Sequence, residues 1–149
     1  MDGGKISNDF PPDAVTGDYP IGNPDSIAGR PQNRDKFAAY TVYFDLDSST
    51  VKSAEQSKIE SVASFFKSNP TGDLLIEGHC DERGTEGYNL TLGDKRANAL
   101  REYLANLGVS PERVHTVSFG EANPAETGTD ESAFSKNRRG EFIFIEPAQ

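Results

Sequence analysis

The sequence predicts an α/β sandwich, a four-stranded mixed sheet with two main helices packed on one of its faces. Two observations lead there. Two stretches carry an apolar residue every three to four positions, and they alternate with runs of β-branched and aromatic residues. A last apolar run then closes the chain beside the others as a strand. Elements in that order bury their apolar sides by laying the helices across one sheet. The 149 residues fit a single domain with a tail.

Residues 1–36 contain Pro11, Pro12, Pro20, Pro24 and Pro31 with several glycines, and no apolar period. Such a segment buries too little to offset its ordering entropy, so it reads as a flexible linker or tether, and the domain as 37–149. An arm packed along the domain is the alternative, with Tyr19 and Ile21 as anchors. Tyr40 to Leu46 reads as the first strand. Ser53 and Gln56 have the spacing of a capping box, and Ile59, Val62, Ala63 and Phe66 form one apolar stripe behind it. Asn69 to Gly72 ends that helix.

Asp73 to His79 is the second strand, followed by a polar loop as far as Gly87. Asn89 is the expected cap of a second helix whose buried side runs through Ala97, Leu100, Leu104 and Leu107. Gly108 supplies a left-handed stop, with Pro111 close behind. Val114 to Phe119 is the third strand. A loop with Pro124 and Gly128, and a helical turn near Ser132 to Lys136, lead to the fourth strand at Glu141 to Glu146.

Composition removes several classes of function. The formal net charge is −9 and the isoelectric point about 4.7, so phosphate backbones and anionic lipid surfaces are poor partners. The single cysteine, Cys80, allows no internal disulfide. No apolar run reaches the roughly 18–20 residues that span a bilayer. The start, Met1 to Lys5, leads into polar sequence and does not read as a signal peptide, so an exported protein would be represented here by a mature or shortened form.

The stretch from Gly78 to Ala97 carries the chemistry. Helical side chains lean toward the helix N-terminus, so the Arg96 guanidinium is expected to point back at the open N–H groups near Asn89 to Leu92. Those amides, the positive end of the helix dipole and a planar cation suit a carboxylate. Asp81, in the loop entering the same helix, is placed to hold an ammonium beside it. Residue chemistry alone leaves two arrangements open: this paired site for an amino-acid terminus, or an ion pair between Asp81 and Arg96 that fixes the loop. Two rivals are weaker. His79 and Cys80 are adjacent, but neighbours on a strand diverge, which speaks against a Cys/His hydrolase. His79, Asp81 and Glu82 offer a metal too few ligands from one loop.

The run Gly78-His79-Cys80-Asp81-Glu82-Arg83-Gly84-Thr85-Glu86, continued by Tyr88, Asn89, Leu90, Leu92, Gly93, Arg96 and Ala97, resembles the signature of the peptidoglycan-associated lipoproteins within the OmpA C-terminal-like family. Val42 to Asp45, Val117 to Glu121 and Ser135 to Arg139 carry the same resemblance, so it spans roughly 37–146. Gly87 and Gly140 depart from the family pattern. The resemblance implies non-covalent binding of the peptidoglycan stem peptide at meso-diaminopimelate, with Asp81 on its ammonium and Arg96 on its carboxylate. Phe44, Asp45, Asn89, Leu92 and Arg139 are implied as supporting contacts. It further implies a tether between outer membrane and wall on the periplasmic face, TolB of the Tol system as a partner, and neither catalysis nor a cofactor. The lipid-bearing cysteine such proteins use is expected ahead of Met1 or removed. Porins and flagellar stators use the same module, but Glu82 to Thr85 and Ser135 to Arg139 favour the lipoproteins.

Overall fold

The structure is a computed structural model that describes residues 15–16 and 27–148. Strand β1 (Val15–Thr16) comes first, then β2 (Gln32–Asn33), a 3-10 stretch at Asp35–Tyr40, and β3 (Val42–Tyr43). A 3-10 turn at Ser53–Glu55 leads into helix α1 (Gln56–Ser68). The remainder is β4 (Asp73–His79), α2 (Glu86–Asn106), β5 (Val114–Gly120), α3 (Glu131–Asn137) and β6 (Arg139–Ile145). The sheet runs β1-β5-β4-β6-β2, with β3 also paired to β6. β4 and β5 are parallel and the other pairs antiparallel, so the sheet is mixed as expected.

The six strands exceed the expected four because two short ones come from the N-terminal segment. The tether expected over residues 1–36 lies largely outside the described residues, at 1–14 and 17–26. Its described part belongs to the fold. β1 pairs with β5, β2 pairs with β6, and Ile27 is buried. Arg30 ties this segment down by donating to the Glu146 carbonyl at 2.9 Å and to Asp73 at 3.2 Å. Conversely, the first expected strand, Tyr40 to Leu46, shortens to β3, because beyond Tyr43 the backbone turns away to serve the site described below.

The apolar stripes fall as the periodicity required. Ile59, Val62, Ala63 and Phe66 of α1 and Ala97, Leu100 and Leu104 of α2 pack with Leu74, Ile76, Val114, Phe142 and Phe144. The capping box does not form: neither Ser53 nor any other side chain caps α1, and the 3-10 turn supplies the entry instead. α2 begins a turn earlier than expected, capped by Thr85, whose hydroxyl accepts from the Tyr88 N–H at 3.1 Å. Gly108 adopts a φ of 101°, the left-handed stop the sequence required. Where α2 crosses β4, Gly78 and Gly93 meet backbone to backbone, and a Cβ on Gly93 would lie 2.9 Å from the Gly78 carbonyl oxygen. Gly140 sits opposite Gly78, and the space an apolar side chain would take there is filled by Leu100.

The other sheet face is also buried and holds ionisable groups among Leu75, Val117, Phe119, Ile143 and Ile145. His79 stacks on Phe119 and donates from Nε2 to Glu77 at 3.1 Å, and His115 reaches Asp73 at 2.8 Å. Burial would raise the Glu77 carboxyl, but hydrogen bonds from His79 and Arg34 outweigh it and bring its pKa to about 2. Burial lowers both imidazoles below their ordinary 6.5. The unfolded chain therefore takes up protons at a higher pH than the fold does, and stability present above 6.5 is lost as the pH falls below it. The melting temperature should drop between pH 7 and 5, and less steeply in His79→Gln. A flat profile across that window, measured calorimetrically, would contradict this account.

Candidate ligand-binding site

The end of β4, the start of α2 and the loop after β3 border a shallow cleft, open to solvent and lined by Leu46, Asp47, Cys80, Asp81, Arg83, Asn89, Leu92, Arg96 and Arg138. The β4–β5 register slips between Gly78 and His79, and the Cys80 N–H still reaches the Gly120 carbonyl at 2.8 Å. That irregularity carries the chain off the sheet just before Asp81, a common way to re-aim a side chain beside a site.

Arg96 is buried completely and does not pair with Asp81. Its Nε donates to the Ser48 carbonyl at 2.8 Å and its Nη2 to the Asp45 carbonyl at 2.9 Å. Nη1 donates to the His79 carbonyl at 2.9 Å and to the Cys80 sulfur at 3.4 Å. The guanidinium lies 5.3 Å from the centre of the Phe44 ring. Four of the five N–H groups an arginine offers are thus engaged within the protein. Arg96 also clamps both ends of the Asp45–Ser48 turn, within which Asp47 takes a positive φ of 57°.

Asp81 is held by other arginines. Its Oδ1 accepts from the Arg83 N–H at 3.0 Å and Nε at 3.2 Å, and its Oδ2 from Arg83 Nη2 at 2.7 Å and Arg138 Nη1 at 3.3 Å. Burial alone would raise its pKa, but the arginine hydrogen bonds prevail and hold the carboxyl below its usual range. Arg138 is buttressed by the Phe44 carbonyl at 3.0 Å and Glu131 at 2.8 Å.

Of the residues expected from sequence, Asp81, Arg96, Asn89 and Leu92 meet at the cleft. Asn89 is a strut rather than a cap: its Nδ2 lies 2.6 Å from Glu121 and 3.0 Å from the Arg83 carbonyl, which fixes the loop against the helix. Phe44 and Asp45 act from behind, through a ring and backbone carbonyls, while the Asp45 carboxylate points out to Lys52 at 3.1 Å. Arg139 is not brought to the cleft. It lies on the opposite sheet face with Glu141 and the Asn123 carbonyl, because β6 starts there and successive side chains alternate. Arg138, one position earlier, takes the place expected of it. Arg83, Asp47 and Leu46 are further members of the lining that sequence reasoning did not single out.

His79 and Cys80 diverge as their positions require. Cys80 is pinned between the Asn89 carbonyl and Arg96, and burial pushes its thiol up to about 11, so no thiolate stands ready beside a base. His79 faces Glu77 and Phe119 rather than Asp81, which separates the two groups a metal would need together.

What the cleft presents is a buried carboxylate among three guanidinium groups. Residues 43–138, which include all of this lining, match the OmpA family. The peptidoglycan-associated lipoprotein of Pasteurella multocida is 43% identical over 104 residues, covering 70% of this chain and 69% of its own length. The protein of that name from Brucella melitensis is 37% identical over 123 residues, 83% of this chain and 73% of its own. The crystal structure of the peptidoglycan-associated lipoprotein from Burkholderia pseudomallei has a TM-score of 0.68 at 42% identity, covering 70% of this chain and 88% of that one. A likeness that runs through strands, helices and cleft alike places this chain in the OmpA family, among the peptidoglycan-associated lipoproteins.

Proposed function

We propose that the chain binds the stem peptide of peptidoglycan without covalent chemistry, gripping the free end of meso-diaminopimelate in this cleft. The observation that carries the reading is Asp81, a carboxylate only 3% exposed at the wall of an open cleft, with Arg96 and Arg138 beside it. An ammonium matches Asp81, and the neighbouring carboxylate of the same carbon matches the remaining Arg96 N–H and the start of α2. The names of the relatives, peptidoglycan-associated lipoproteins, support a wall-bound role, and the family resemblance supports a place at the periplasmic face of the outer membrane. The family resemblance supports TolB as a second partner. The reading involves no catalytic residue and no cofactor.

Co-sedimentation with insoluble sacculi tests it. The protein should pellet with them and be released by free meso-diaminopimelate. Asp81→Ala should weaken binding by about 2–5 kcal/mol, the usual loss when one member of a desolvated charge pair is truncated. Failure of the unaltered protein to pellet, or an Asp81→Ala variant that pellets equally well, sinks the reading.

A further inference from the structure

Asp81, the group assigned to the ligand's ammonium, already holds a cation. Arg83 grips it through Nε, Nη2 and its own backbone N–H, at 3.2, 2.7 and 3.0 Å. Both carboxylate oxygens are occupied, so an incoming ammonium meets a satisfied acceptor. Arg138 also reaches Asp81, but it is wedged between the Phe44 carbonyl and Glu131 and its side chain is 9% exposed. Arg83 differs. Its side chain is 39% exposed and lines the mouth of the cleft. Its guanidinium lies 4.3 Å from the centre of the Phe134 ring, and Glu131 is 3.5 Å away. Arg83 thus already rests against an aromatic face and a second carboxylate, which can hold it when Asp81 is taken by another cation. Gly84, which follows it, has a φ of 97°, in the region open to glycine, and its Cβ position is only in ordinary contact with Tyr88 and Asn89.

We propose that Arg83 is a built-in counter-ion that competes with the ligand's cationic end for Asp81, and so sets the affinity of the site. The inference rests on the function proposed above. Binding is then an exchange: the ammonium replaces the Arg83 guanidinium on Asp81, and Arg83 keeps the contacts it already has with Phe134 and Glu131. Arg138 keeps the Asp81 carboxylate in place throughout. The device gives the buried carboxylate a second cation beside Arg138 when the cleft is empty. It also lowers the apparent affinity by the fraction of time Arg83 occupies the site.

The test is isothermal titration of free meso-diaminopimelate into the full chain and its variants. Arg83→Ala is expected to bind at least about threefold tighter than the unaltered protein, since an exposed ion pair contributes about that much. Arg83→Gln, which keeps polarity and loses the charge, should show the same gain and serves if the alanine variant folds poorly. The gain should vanish on the Asp81→Ala background. If Arg83→Ala and Arg83→Gln bind as the unaltered protein does, or more weakly, with unchanged melting temperatures, the competition does not exist. If the unaltered protein shows no binding at all, it is the parent reading of the cleft that fails.

Discussion

Gly78→Ala is expected to cost the domain about 3 kcal/mol or more, the upper range for forced overpacking, and to lower its melting temperature by roughly 10 °C. A Cβ on Gly78 would overlap the Gly93 carbonyl, so the obstacle is backbone and no rotamer change relieves it. The helix would have to lift off the sheet, and α2 is the element that carries Asn89, Leu92 and Arg96 to the cleft. Ligand binding should fall with stability. Gly87→Ala is the control of opposite sign: a Cβ there meets nothing within 4 Å, and alanine in a helix is favoured over glycine by about 0.5–1 kcal/mol. Thermal unfolding of both variants decides the matter. Equal effects would mean that glycine's backbone freedom, and not the close crossing, is what position 78 requires.

Arg96→Ala should lose stability and binding together. Truncation takes a donor from the carbonyls of Asp45, Ser48 and His79, each of which accepts from the guanidinium, and leaves a hole over Phe44. About 3–5 kcal/mol of destabilisation is expected, from the lost hydrogen bonds and the lost buried cation. Arg96→Lys should recover little, because one ammonium on a flexible stem cannot address three separated carbonyls. Asp81→Ala, by contrast, should lower binding with a small change in melting. Urea unfolding beside titration separates the two. An Arg96→Ala variant that melts normally but fails to bind would return this residue to a purely ligand-gripping role.

The difference between these residues marks how far the sequence could be read. Apolar stripes are a periodic signal, and those of α1 and α2 packed as their spacing required. The neighbourhood of the cleft was legible too, since Asp81, Asn89, Leu92 and Arg96 all reach it. What each side chain touches was not legible, because that depends on partners distant in sequence. Arg96 is held by carbonyls up to 51 positions away. Arg139 was implied by the family resemblance, which gives a position along the chain but no face: it begins β6 with its side chain on the face away from the cleft, and its neighbour Arg138 is the one that lines it. The Thr85 cap could have been found from a threonine followed by Glu86, an acidic residue favourable in a first turn, but Gly87 made the stretch look like loop. β1 and β2 carry no signal of their own, since a two-residue strand is defined only by the longer strand beside it.

The order of the sheet also bears on when the domain can fold. β6, the last strand, lies inside the sheet between β4 and β2, and β3 leans on it as well. Arg30 finds its acceptor on Glu146 across a separation of 116 residues. Whereas β4 can pair with β5, β2 and β3 are joined to the sheet through β6 and can dock only once it is in place. Closing so long a loop makes such topologies slow to form.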